Sequence, residues 1–278
     1  MSSGVLYLVP TPIGDPRDIT QRALEVLASV DVVAAEDTRD AARLFAELGV
    51  TARKLVSYHD HNERTRAPRL VEDLAAGRSV ALISDAGTPL VSDPGWHVVQ
   101  QALDAGARVV ALPGACAAVT ALGASGLPSD RFYFGGFLPR DAGPRRAVLA
   151  GLRAREETLI FYEAPHRVLE ALADVGAALG AARRVALAFN LTKEHEAILR
   201  GTPEELTAQL AARERVAGEI TMVIAGGDAA AGEDWPAADA LIARLRAVGL
   251  APRAIRDVVA ETYDLPKRAV YERVLEPK

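Results

Sequence analysis

Three loops concentrate the residues of this 278-residue chain that could meet a ligand. They are Pro10-Thr11-Pro12-Ile13-Gly14-Asp15-Pro16, the stretch from Ser84 to Gly95, and Pro113-Gly114-Ala115-Cys116-Ala117, and each follows an apolar run. Their glycines let backbone approach a ligand closely, and their prolines hold the loops rigid. They offer carboxylates, small side chains and backbone groups. Neither a G-x-x-x-x-G-K-[ST] loop nor a G-x-G-x-x-G turn opening a helix after the first run is present, so phosphate cradling is not their obvious task. The combination suits a cationic or zwitterionic ligand with hydroxyls better than a polyphosphate. One such loop could be an ordinary tight turn. Three of them outline a pocket, because ligands of open α/β sheets bind just beyond the carboxyl ends of the strands.

The elements that must position these loops are legible in the hydrophobic pattern. Val5 to Val9, Val32 to Ala35, Val80 to Ile83 and Val109 to Leu112 read as buried parallel strands. Between them Ala23, Leu24 and Leu27, then Leu70, Val71 and Leu74, keep helical spacing, and Gly49, Gly77 and Gly106 sit where helices end. This βα alternation predicts an α/β fold with an open sheet. A second series of strands is read at Phe132 to Phe134, Thr158 to Tyr162, Val185 to Phe189 and Ile220 to Ile224. Thr202-Pro203-Glu204-Glu205 predicts a helix start with a capping box. Gly226 to Pro236 reads as a linker, and residues 237–278 as three short helices broken between the last two at Asp264-Leu265-Pro266. The expected organisation is an α/β domain over residues 1–114, a second over 115–228 and a small helical domain over 237–278.

Half of the residues are apolar, which suffices for a large core. A single cysteine, Cys116, excludes an internal disulfide and a multi-thiolate zinc site and fits a reducing, cytoplasmic compartment. No run reaches the roughly 20 apolar residues of a membrane helix. The formal charge of −5 argues against indiscriminate coating of nucleic acid.

Several stretches together resemble the ribosomal small subunit methyltransferase I family. They are Leu6 to Asp15, Ala35-Glu36-Asp37-Thr38-Arg39, Ser57 to Glu63, Ile83 to Gly95, Ala124 to Phe132 and Phe161-Tyr162-Glu163-Ala164-Pro165-His166-Arg167. The resemblance runs from about residue 5 to 226 and more weakly through the C-terminal helices. It implies two α/β domains of the tetrapyrrole-methylase type, S-adenosylmethionine in the cleft between them, a homodimer, and methylation of the ribose 2′-oxygen of a cytidine in 16S ribosomal RNA. Cofactor contacts implied by it are Gly14, Asp85, Gly87, Thr88, Val91, Cys116, Ala117, Tyr162 and Met222. Two positions depart from the family's pattern: Asn190 stands where Arg-Glu ordinarily precedes Leu-Thr-Lys, and Asp15 where Asn is commoner.

Transfer to a 2′-hydroxyl relies on positioning and on a base. Lys193, Glu163 and Asp37 are the leading candidates for that base, with His59, His61 and His195 behind them. Asp37 could equally be a helix cap. His59 and His61 lack the further His or Cys ligands of a metal site, so no metal is implied, and near RNA they read as polar loop residues. Arg39, His59, His61, Arg140, Arg145 and Arg146 are the expected RNA contacts, while Phe132, Tyr133, Phe134 and Phe137, like Trp96 and His97, are expected in the core. Cys116 reads as a packing residue. Lys267, Arg268 and Arg273 supply at most an accessory RNA contact. The rival readings are a tetrapyrrole carbon methyltransferase of the same fold and a noncatalytic RNA-binding assembly factor.

Overall fold

A computed structural model of the chain describes residues 4–213, 215–227, 235–263 and 265–275, the side chain of Pro236 excepted. The first half alternates strand and helix: β1 (Val5–Leu8), α1 (Gln21–Ser29), β2 (Val32–Ala35), α2 (Thr38–Leu48), β3 (Leu55–Ser57), α3 (Glu63–Ala75), β4 (Val80–Ile83), α4 (Trp96–Asp104) and β5 (Arg108–Ala111). The strands form one parallel sheet in the order β3-β2-β4-β1-β5. Side chains alternate across a strand, so each apolar run divides between two cores. Leu6, Val32, Val80 and Leu82 pack with Leu70, Leu74 and Val98 of α3 and α4, whereas Val33, Ala35, Ala81 and Ile83 pack with Leu27 and Phe45 of α1 and α2. Burial on both faces is why β2 and β4 read as unbroken apolar runs.

The second half comprises α5 (Ala117–Ser125), β6 (Phe132–Phe137), α6 (Ala142–Gly151), β7 (Thr158–Glu163), α7 (Val168–Leu179), β8 (Val185–Phe189), β9 (Ala197–Gly201), α8 (Pro203–Ala211) and β10 (Ile220–Ile224). Its sheet runs β6-β7-β10-β8-β9 and is mixed. Only β6 and β7 are parallel, and β10 lies antiparallel between β7 and β8. Thr202 caps α8 by accepting from the Glu205 amide, while Glu205 accepts from the Thr202 amide at 2.8 Å, completing the expected capping box. One face of the sheet carries α6, α7 and α8, the other α5.

Three helices follow, α9 (Trp235–Ala247), α10 (Pro252–Tyr263) and α11 (Lys267–Leu275), around a small core of Ala238, Ile242, Val259 and Val270. Leu265 and Pro266 separate the last two. Asp264, and residues 228–234 of the expected linker, lie outside the described residues. Among the described residues no helix is long and apolar enough to cross a membrane.

Five residues depart from their expected burial. Trp96 is 60% exposed, and Phe132 and Phe137 stand out from the ends of β6, leaving Tyr133 and Phe134 as its half-buried aromatics. His97 is only partly covered and lies 3.5 Å from Glu63. Arg145, expected to face RNA, is in the core. Its guanidinium donates to Asp174 at 2.6 Å and to the Arg140 carbonyl at 2.9 Å, so it clamps α6 onto α7.

Candidate active site

The three Gly/Pro loops are physically joined. Thr11 and Gly87 exchange backbone hydrogen bonds at 2.9 and 3.1 Å, and the Thr11 hydroxyl donates to the Ser84 carbonyl. Thr88 then donates to the Ala115 carbonyl at 2.8 Å, tying the Ser84–Gly95 loop to the Pro113–Ala117 loop. Gly87 has φ +86°, and a β-carbon there would press on Ile13, so a glycine is required for the crossing.

Against this rim the second sheet closes a cavity of about 340 Å³. Ile13, Ala86 to Thr88 and Val91 to Asp93 supply one wall, Cys116 and Ala117 at the start of α5 another. Tyr162 to Pro165, Ala188, Leu191 and Gly218 to Thr221 complete it, with Phe137 at the edge. The walls are mostly apolar. Their ionisable acids are Asp93, Glu163 and Glu219, and no Lys, Arg or His is among the lining residues described. The site therefore favours a ligand that carries positive charge.

Glu163 is buried. Its Oε1 accepts from the Ala164 amide and pairs with Arg167 at 2.6 Å, while Oε2 finds no hydrogen-bond partner among the described residues, nor do Nε and Nη1 of Arg167. A buried acceptor left open beside a cavity fits a ligand bearing N–H or O–H groups. Asp93 is pushed up to about 7, first by burial and next by the Glu36 carboxylate, with smaller pressure from Asp85 and Asp60 and partial relief from the Ser84 hydroxyl. Glu36 is raised too, by burial and then by Asp85. Burial, followed by the neighbouring Cys116, pushes the Tyr162 phenol up, so it is neutral in the working range.

Of the expected cofactor contacts, Gly87, Thr88, Val91, Cys116, Ala117 and Tyr162 line the cavity. Three do not. Met222 points to the opposite face of β10, where it packs with Ile220 and Ile224 in the α7–α8 core, and its neighbour Thr221 takes the cavity side. Gly14 lies against the Leu191–Lys193 turn, its missing β-carbon 2.6 Å from Lys193 Cγ and Thr192 Oγ1. Asp85 is exposed and accepts from the Asp37 amide at 2.9 Å.

The expected bases are engaged. Asp37 caps α2 and pairs with Arg39 at 2.7 Å, and those hydrogen bonds hold its carboxyl well below the usual carboxylate range. Lys193 pairs with Glu219 at 2.7 Å at the mouth. His195 is exposed on the following turn. His59 and His61 meet edge to face after β3, and among the described residues no cluster of three His, Cys, Asp or Glu side chains is placed to hold a metal. Arg39 and Arg140 are exposed, and Arg146 is exposed although it reaches Asp174 at 2.6 Å. In the C-terminal helices Lys267 pairs with Asp257, Arg268 with Glu272, and Arg273 with Asp239.

Asn190 has φ +49°, a left-handed conformation that Asn tolerates better than Glu, and its side-chain oxygen accepts from the Glu219 amide at 3.1 Å. The departure from the resembling pattern thus fastens the end of β8 to the cavity's Gly218–Thr221 wall. Asp93, Leu191 and the Gly218–Thr221 segment escaped sequence reading. The signal for Asp93 was its place in the same Ser84–Gly95 loop.

A profile of the tetrapyrrole (corrin/porphyrin) methylases matches residues 5–207. The chain is 54% identical over 273 residues to the ribosomal RNA small subunit methyltransferase I of Micromonospora olivasterospora, spanning 98% of this chain and 87% of that one. It is 49% identical over 278 residues to the ribosomal RNA small subunit methyltransferase I of Escherichia coli O157:H7, spanning 99% and 96%. Uroporphyrin-III-C-methyltransferase from Thermus thermophilus shares the fold, with a TM-score of 0.57 at 23% identity over 80% of this chain and 94% of that one. Joined loops at the carboxyl ends of a parallel sheet, a mixed sheet closing over them, and near full-length identity of about half together place this chain in the ribosomal RNA small subunit methyltransferase I family, on the tetrapyrrole-methylase fold.

Proposed function

We propose that the protein transfers the methyl group of S-adenosylmethionine to the ribose 2′-hydroxyl of a cytidine in 16S ribosomal RNA. The observation that carries this reading is the cavity whose lining combines apolar walls with carboxylates and, among the described residues, no cation, in a chain so similar to proteins named for small-subunit RNA methylation. S-Adenosylmethionine supplies an electrophilic methyl on a positively charged sulfur. Gly87, Val91, Cys116, Ala117 and Tyr162 are the residues that would hold it, and the open Glu163 oxygen is an acceptor for its N–H or O–H groups. Exposed Arg39, Arg140 and Arg146, with His59 and His61, border the RNA approach. Arg145 is withdrawn from that role by its burial.

Incubating small subunits that lack the modification with the protein and tritium-labelled donor tests the reading. After nuclease and phosphatase digestion the label is expected in 2′-O-methylcytidine, and light scattering of the same preparation is expected to report two copies per particle. Label on a base, or accepted only by a tetrapyrrole carbon, overturns the ribose assignment. Absence of any transfer, with subunit assembly still dependent on the protein, supports the assembly-factor reading instead.

A further inference from the structure

Of the three acids lining the cavity, two are already tied to a cation, Glu163 to Arg167 and Glu219 to Lys193. Asp93 is not. The groups that face it are the Ser84 hydroxyl after β4, the carboxylates of Glu36 after β2, Asp60 after β3 and Asp85 in its own loop, and the neutral Tyr162 phenol from β7. Its placement is enforced. Leu90 and Ser92 both hold left-handed backbone, with φ of 71° and 68°, although neither is glycine, and such strain at a cavity wall persists only where the surroundings impose it. At the loop's end Gly95 packs so tightly that a β-carbon would lie 2.7 Å from Leu82 and 3.0 Å from Leu90. The strained turn thus presents to the cavity a carboxylate that has the Ser84 hydroxyl but, among the described residues, no cation beside it.

Resting on the proposed ribose methylation, we propose that Asp93 is the base that receives the proton of the 2′-hydroxyl during methyl transfer. As the bond from O2′ to the methyl carbon forms, the carbon–sulfur bond breaks and its electron pair neutralises the sulfonium. The O2′ proton passes to the Asp93 carboxylate and from there to solvent. An acid whose own affinity for protons is matched to neutral pH is suited to this, because a substantial fraction of it is ionised and that fraction still attracts a proton. Burial and the surrounding carboxylates give Asp93 that match. Asp37, Glu163 and Lys193 are instead each bound to an opposite charge.

The experiment compares wild type with Asp93→Asn and Asp93→Glu in single-turnover methyl transfer to small subunits between pH 5.5 and 9, with donor affinity measured by calorimetry. Wild type is expected to gain about tenfold in rate per pH unit below about 7 and to level off above it. D93N should lose that limb and, with donor at saturating concentration as fixed by the calorimetry, at least a hundredfold in rate, as expected for a missing general base. D93E should recover part of the rate and a displaced limb. A carbon-13 titration of labelled aspartates in the free protein is expected to show one carboxylate changing near pH 7 that disappears in D93N. A D93N rate within threefold of wild type, a limb that persists unchanged in D93N, or an Asp93 resonance titrating near 4 overturns the proposal. Wild-type product carrying its methyl away from the ribose overturns the functional reading with it, and nucleoside analysis of that product alone tells the two failures apart.

Discussion

Asp174→Ala is expected to lower folding stability by about 3–5 kcal/mol, the usual cost of removing one partner from a buried ion pair. Burial pushes the Asp174 carboxyl up, yet Arg146 and Arg145 together outweigh it and hold the group below its ordinary value. Arg145 is only 2% exposed, so without Asp174 its guanidinium keeps the Arg140 carbonyl and the exposed Glu170 and loses its closest countercharge. The folded-state pKa of Asp174 is depressed, so its contribution is present above the unfolded value of about 3.8 and is lost as pH falls through the folded value. Urea denaturation of wild type and D174A should therefore show a gap at pH 7 that narrows in acid. A difference under about 1 kcal/mol at pH 7 would show that water replaces the lost partner and that the clamp is weak.

Ala117→Phe is expected to weaken binding of S-adenosylmethionine at least a hundredfold, about 2.7 kcal/mol, with folding intact. Ala117 opens α5 and is half-buried against the cavity, so the added ring has free volume to enter and need not distort the core. Val119, two residues on and 55% exposed, faces the other way. Val119→Phe is the control and should bind as wild type does. Calorimetry on both variants decides it, and an A117F affinity within threefold of wild type would place the donor outside this cavity.

The sequence disclosed the first sheet well because β1, β2 and β4 are apolar on both faces and are spaced by amphipathic helices. It concealed β3, only three half-buried residues long, and β9, whose Ala197–Gly201 run includes an exposed Arg200 at the sheet edge. The pattern marked the second series as strands without a pairing direction, and nothing in the Ile220–Ile224 run announced that it would run antiparallel between β7 and β8. The same blindness misassigned Met222. Its identity could be matched to a pattern, but the face it takes depends on strand register, which puts Thr221 beside Tyr162 and Ala188 and turns Met222 away. Arg145 and Arg146 looked alike as neighbours on one basic helix, yet adjacent positions point about 100° apart on a helix, and although both reach Asp174 only Arg145 is buried. The loop motifs brought most of the cavity into view because backbone-shaping residues announce themselves by type. Asp93 stayed hidden because its significance lies in which charges surround it, and those come from three separate strand ends.

The central place of β10 also bears on the order in which the molecule can be built. The first sheet has all its strands once Ala111 at the end of β5 has emerged, whereas β7 and β8 gain their shared neighbour only once residue 224 has left the ribosome. Until then both present unpaired backbone edges flanked by Leu159, Phe161, Leu187 and Phe189, a template for joining other chains. A nascent chain stalled short of Ile220 should accordingly be held by chaperones and cut by protease within residues 130–213 while the first hundred residues resist, and equal resistance across both would mean that the second sheet can stand without its middle strand.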